Sequence, residues 1–372
     1  VNLKTLPAVS FCETDAAKVR DAILLAHQGF TGRSLAPGAP ERLFLEALAA
    51  IVVQQNVLID LAGKRNLVAL ADGEYLDHIG VLSDVQRLPA VPAQVTLRFS
   101  RPQAPEYPVA IPAGTRATPD HVLVFETTAP AEIEANKFHV DVTARCREAG
   151  TLGNGYVTGQ INRLMDALLD VTAVTNTTES AGGCDEEDDE HFRERVVISP
   201  ESFSTAGPAG AYVYWAKSAS ALVSDVSVHS PAPGVVEVRL LLAGGEIPGQ
   251  DILDLVKDAL TAEKRRPLTD SVEVLAPTPV PFDLDVTYWV YAEDKLALAS
   301  IQAAVNAAVD EYVAWQSARL GRDLNPSELI GRIRAAGAKR AEVASPAYTA
   351  LDLSQVARLG SKNVSYGGLE DE

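Results

Sequence analysis

The chain of 372 residues has little of what many folds and most enzymes lean on: three cysteines, one methionine, six histidines and only 6% aromatic residues. Cys12, Cys146 and Cys184 are an odd number at wide spacing, without a Cys-x-x-Cys pair. That argues against a disulfide framework and a zinc ribbon, and suits synthesis in a reducing cytoplasm. His27, His78, His121, His139, His191 and His229 show no His-x-x-x-His or His-Glu-x-x-His spacing. No metal site is expected from them. Also absent are a P-loop, a Gly-x-Ser-x-Gly elbow and a Gly-x-Gly-x-x-Gly opening a βαβ unit, so no catalytic residue and no cofactor is assigned. The acidic run Asp185 to Glu190 lacks the alternating ligands and central glycine of a calcium loop. The most apolar stretch, Ala47 to Val53, ends at Gln54-Gln55-Asn56, far short of the roughly 18 to 20 residues that span a bilayer. Neither membrane insertion nor a secretory signal behind Val1-Asn2-Leu3-Lys4 is expected.

Positive charge is scarce too. With 32 bases against 50 acids the net charge is −18, and phosphate backbones would be repelled. The dense basic cluster Lys264-Arg265-Arg266 closes a predicted helix, where cations suit the negative end of the dipole. Nucleic acid is therefore not an expected partner. What the chain does have is an ordinary globular composition, 47% hydrophobic and 22% charged, with length for about two to four domains.

Periodicity divides it. Residues 1–90 read as a helical segment. Ser10 and Glu13 have capping-box spacing ahead of Ala16, Val19, Ile23 and Ala26, and Gly29 with Gly32 closes that helix. A second helix is predicted from Glu41 to Ala62, stopped by Gly63. Its apolar residues, among them Leu48, Ile51, Val52 and Leu58, cover more than one stripe, which implies burial on two sides. Those four are candidate interface residues. A third helix spans Gly73 to Gly80.

Over 91–178 the period becomes two. Val95, Leu97 and Phe99 alternate with polar residues, as do Phe138, Val140, Val142, Ala144 and Cys146, with His139 in the outward series. Prolines and glycines between the runs predict a small antiparallel β domain. Two α+β sandwich modules follow, at 179–279 and 280–372, each with helices on one face of a short antiparallel sheet. The first takes strands near Asp225–His229, Val235–Leu242 and Ser271–Leu275 around a helix from Gly249 to Glu263. The second takes a strand through Phe282–Val290, a helix from Lys295 to Trp315, a helix capped by Asn325-Pro326-Ser327-Glu328 and a strand at Arg340–Ala344. The tail Asn363 to Gly368 matches no recognisable motif.

Between the β domain and the first module stands Glu179-Ser180-Ala181-Gly182-Gly183-Cys184 followed by six acids and Arg193 and Arg195. As local chemistry this is a solvated, capped helix entry, acids ahead of the positive dipole end. In order along the chain it joins Ile111-Pro112-Ala113-Gly114-Thr115, Gly150-Thr151-Leu152-Gly153-Asn154, the Val171–Asn176 strand, Tyr214-Trp215-Ala216 and Arg266-Pro267-Leu268-Thr269-Asp270. Together they resemble the baseplate J-like family of contractile phage tails, R-type pyocins and related contractile injection systems, well over Leu67–Ala276 and more weakly beyond. The resemblance implies a non-enzymatic wedge protein in an assembled particle's baseplate. Two copies would join one smaller wedge partner, and six wedges would ring a central spike hub and meet sheath-attachment proteins. It implies that the N-terminal helices enter a bundle and that the C-terminal modules make contacts between wedges. It also makes Asp185, Glu186, Asp189, Arg193 and Arg195 candidate domain-junction residues. A receptor- or carbohydrate-binding adhesin is the alternative, with a hydrolase behind it; low aromatic content weighs against sugar platforms.

Overall fold

A computed structural model describes residues 3–104, 106–203, 208–262 and 270–371. The basic cluster Lys264-Arg265-Arg266 and Arg266 to Thr269 of the quoted motif lie outside the described residues. The chain divides into two compact units, one of residues 1–87 with 188–200 and one of residues 88–187 with 201–372. The acidic run is split between the two units, and the helix after it belongs with the N-terminal residues.

The first unit is helical: α1 (Ala16–Thr31), α2 (Pro40–Lys64), α3 (Gly73–Val81) and α4 (Asp189–Ile198). The cap of α1 is Asp15, whose carboxylate accepts from the Ala17 and Lys18 amides, whereas Ser10 and Glu13 were the expected pair. Glu13 instead accepts from the Asp15 amide and pairs with Lys18 at 3.1 Å. Gly32 ends the helix in a left-handed conformation, φ 67°, which only glycine adopts without cost, while Gly29 lies inside it. Helices α1 and α2 pack together; Ala49 and Asp60 are the buried residues of α2, with Val53 and Asn56 half-buried between them at helical spacing. Asn56 Nδ2 donates to the Glu13 carbonyl, Asp60 Oδ1 accepts from the Phe11 amide, and the Phe11 ring lies where a Cβ on Gly63 would stand. By length and composition α2 is apolar enough to cross a bilayer. The sequence reading, which judged the run Ala47–Val53 alone, missed this because Gln54-Gln55-Asn56 interrupts the run without ending the helix.

The second unit opens with a nearly closed barrel. Its strands are β1 (Gln94–Ser100), β2 (Val109–Ile111), β3 (Arg116–Thr118), β4 (Phe125–Thr127), β5 (Ala131–Ile133), β6 (His139–Cys146), β7 (Arg163–Leu164) and β8 (Ala173–Asn176). Six of them run in the order β7-β3-β4-β6-β1-β8, with β7 and β8 in contact, and β2 pairs with β5 beside them. Alternation sends Val95, Leu97, Phe99, Val142 and Ala144 inward around Phe125 and Ile161. His139 is exposed. The wet face carries register-matched ion pairs, Arg98–Asp141 at 2.7 Å and Arg145–Glu126 at 3.2 Å.

Two modules follow. The central one is α5 (Ala209–Ala219), β9 (Val223–Ala232), β10 (Val235–Leu242), α6 (Gln250–Thr261) and β11 (Ser271–Leu275), with sheet order β11-β10-β9. The C-terminal one is β12 (Thr278–Tyr291), α7 (Leu298–Ser317), α8 (Pro326–Ala335), β13 (Arg340–Ser345) and β14 (Gln355–Glu370), with order β13-β12-β14. Neither sheet is antiparallel throughout, as the sequence had suggested: β10 pairs with β11, and β12 with β14, in parallel. In the central module α6 lies between β10 and β11, as a parallel pair requires, whereas in the C-terminal module α7 and α8 lead to the antiparallel β13 and β14 follows it on the other side of β12. Asn325 caps α8 as expected, accepting from the Ser327 amide. The unplaced tail Asn363–Gly368 is the second half of β14, hydrogen-bonded along β12.

Candidate interface residues

Four apolar residues of α2 share one stripe. Phe44, Leu48, Ile51 and Leu58 stand at helical spacings of four, three and seven, and all are exposed, Ile51 and Leu58 at 56% and 57%. Val52 is half-buried beside them. On α1, Leu25 and Phe30 are exposed as well, Phe30 at 92%. Scattered apolar residues are ordinary on a surface, but these stand in one row along a 25-residue helix, which makes them candidate interface residues. Next to it, His27, Pro40, Glu41, Phe44 and Leu45 line an open groove of about 500 Å³. Full burial would contribute roughly 1.5–3 kcal/mol for each leucine, isoleucine or phenylalanine.

The acidic and arginine residues do a different job in each unit. In the barrel unit the segment after β8 folds back along β1, bridging Ala181 to Gln94 and Cys184 to Val91. Asn154 grips it: its Nδ2 donates to the Gly183 carbonyl at 2.8 Å and its Oδ1 accepts from the Gly183 amide at 2.9 Å. A Cβ on Gly183 would stand 2.4 Å from the Gly150 carbonyl oxygen, so this position needs glycine. Asp185 then accepts from the Thr151 amide and hydroxyl, and Glu187, buried, accepts from the Leu88 amide at 2.9 Å. Glu186 is exposed. The glycine and asparagine motifs picked out in the sequence are thus two halves of one clasp.

In the helical unit Asp188 caps α4 through the His191 amide. Asp189 accepts from the Gly73 amide at 3.0 Å and from Arg87 at 2.8 Å. The Gly73 N–H, and after it Arg87, holds its carboxyl below the usual aspartate range. Arg193 and Arg195 are buried rather than solvated. Arg193 donates to the carbonyls of Val68 and Ala71 and pairs with Glu190, and Arg195 donates to the Gln86 carbonyl. Phe192, wholly buried, lies under the Arg87 guanidinium and fills the space where a Cβ on Gly80 would fall. The solvated-entry reading fails for the arginines because their acceptors are backbone carbonyls over a hundred positions away, which local charge pattern does not display. Phe192, Arg87, Asn154 and Asp60 were missed because each acts on a segment well separated in sequence, at Gly80, Asp189, Gly183 and Phe11 respectively, which local pattern does not display. Asn154 alone left a signal, since it sat inside a motif already singled out.

Among the described residues, no group of three or more His, Cys, Asp or Glu is placed to hold a metal ion. All three cysteines are free, Cys146 and Cys184 buried, and burial pushes both of those thiols up.

The fold and these residues define a multidomain α+β chain, barrel followed by two mixed modules, whose candidate site is a surface. Three family models match it in succession: the Baseplate J-like protein barrel domain over residues 96–183, the Baseplate J-like central domain over 204–276 and the Baseplate J-like protein C-terminal domain over 284–365. The chain belongs to the baseplate J-like family. It is 32% identical over 187 residues to baseplate protein J of Escherichia phage P2, a match covering 50% of this chain and 61% of that protein. It is 25% identical over 210 residues to the uncharacterized protein YqbT of Bacillus subtilis (strain 168), covering 56% of this chain and 55% of that one. The matches thus span less than two thirds of either curated relative. Among solved structures, a chain of the anti-feeding prophage baseplate aligns with a TM-score of 0.48 at 12% identity, over 92% of this chain and 90% of that one.

Proposed function

We propose that this chain is a structural component of a contractile-tail or contractile-injection baseplate, a wedge protein that acts by docking and not by catalysis. The supporting observation is the exposed stripe Phe44, Leu48, Ile51 and Leu58 on α2, in a chain of the same family as a phage baseplate protein. A helix that leaves this much apolar surface uncovered gains most by pairing with other helices. The proposed occupants are a second copy of the chain and a smaller wedge partner in a helical bundle. The central and C-terminal modules would then meet neighbouring wedges in a six-fold ring around the hub, and rearrangement of those contacts would pass the trigger to the sheath. In this reading the clasp and the Arg193 and Arg195 anchors fix the ends of the domains, so that docking forces act on rigid bodies.

The test is genetic and structural together. Particles purified from the source cells should contain the chain at the sheath end, and deletion of its gene should leave sheath and tube without baseplates. Particles that assemble and contract normally without the chain would defeat the proposal.

A further inference from the structure

We infer that the central and C-terminal modules form one rigid body, locked by a joint around Leu241, Leu320 and Asp225, so that the chain does not hinge at residues 276–278. On β10, Leu240 and Leu241 are adjacent and point to opposite faces of the sheet, yet both are wholly buried. Leu240 belongs to the core under α5 and α6. Leu241 belongs to a separate cluster with Leu320 and Val356, both from the C-terminal module. At Leu241 the second face of the central sheet is thus covered by its neighbour, while Ser271, Glu273 and Leu275 of β11 stay exposed.

Three further contacts surround that cluster. Asp225, on β9, accepts from the Leu320 amide at 2.8 Å. Gly245 has φ +75°, and a Cβ there would stand 2.4 Å from the Ser317 carbonyl oxygen at the end of α7, a backbone-to-backbone approach open to glycine alone. The connection itself has no slack. Only Ala276 and Pro277 separate β11 from β12, Arg239 donates to the Ala276 carbonyl at 2.7 Å, and the Thr278 amide donates to the Ser354 carbonyl at 2.9 Å. An apolar cluster, a cross-module hydrogen bond, a close glycine contact and a clamped linker fix all the rotations a two-residue connection could otherwise allow. The inference stands whether or not the chain serves a baseplate.

Spin labels on exposed positions of the two modules test it in the full chain: Asp258→Cys on α6 and Ala303→Cys on α7, with Cys12→Ser to remove the most accessible native thiol. The distance distribution should be a single narrow peak. That peak should be lost in Leu320→Asp and in Gly245→Val, while amides of β10 and β12 keep their hydrogen-exchange protection. Leu241→Ala, which leaves the core under α5 and α6 untouched, is the milder variant should either of those unfold a module, and it should broaden the peak. A broad or multiple distribution in the parent chain overturns the inference outright, and a narrow peak that survives Leu241→Ala and Gly245→Val overturns the joint as its cause.

Discussion

Helices α2 and α7 are similar in length and apolar content but opposite in fate. The 20 residues of α7 bury Val305, Val309 and Tyr312 against the β12 strand, which returns Phe282, Leu284, Val286, Tyr288 and Val290. The 25 residues of α2 bury only Ala49 and Asp60 and hold Phe44, Ile51 and Leu58 in solvent. A strand with period-two alternation gives a helix a matching floor within the chain. The α1–α2 hairpin covers one side only, and in the proposed docking role the second apolar side of α2 finds its counterpart in another molecule.

Charge on the uncovered stripe should separate the two helices most sharply. Ile51→Asp with Leu58→Asp should abolish association with the wedge partners while moving the stability of the isolated chain by no more than about 0.5 kcal/mol, as surface changes do. Pull-down of partners and denaturant unfolding of the same preparation check both halves. Partner capture at parental levels would show that α2 is not the docking element. On α7 the opposite outcome is expected. Tyr312→Ala empties a wholly buried site and should cost about 3–5 kcal/mol, read as a lower unfolding midpoint at unchanged slope. A change under about 1 kcal/mol would mean the C-terminal core is far looser than its burial implies.

Much of this contrast was legible in the sequence. The surplus apolar surface of α2 showed as residues on more than one stripe, and the β12, β6 and β1 strands showed as strict alternation, since both are properties of a single segment. What was not legible depends on two distant segments meeting. Arg193 and Arg195 look like helix-surface charges until Val68, Ala71 and Gln86 bring carbonyls to them. Parallel pairing of β10 with β11 cannot be told from antiparallel pairing by alternation, which is the same in both. The β14 strand, rich in glycine and polar residues, has weak periodicity of its own and is held in place by β12.

The clasp of the barrel sharpens the comparison at a smaller scale, because it joins distant segments without apolar burial. Asn154→Ala removes both hydrogen bonds to Gly183 and leaves its amide and carbonyl without those partners, in a residue that is itself buried. The expected cost is about 1–3 kcal/mol, with faster amide exchange confined to residues 178–187. Exchange that quickens equally in α3 and α4 would mean the clasp stabilises more than the barrel.

The smallest expected effect separates the units by acid. Asp189 in the helical unit and Asp141 in the barrel both have carboxyls held below the usual range, Asp189 first by the Gly73 amide and Asp141 first by Arg98. A carboxylate whose folded value is depressed contributes stability that is full above its unfolded value of about 3.9 and is lost as pH falls through the lower folded value. Both units should therefore be flat in stability through neutral pH and weaken on acidification below about pH 4. Asp189→Asn cannot be protonated in that range, so it should shallow the acid limb for amides of α3 and α4 and leave the limb of β1 and β6 unchanged. Amide exchange followed downward from about pH 6 through the acid limb reads the two units separately. An acid limb in α3 and α4 that keeps its parental slope in the variant would remove Asp189 from the contacts that hold the helical unit together, and would leave Arg193 and Phe192 to account for its cohesion alone.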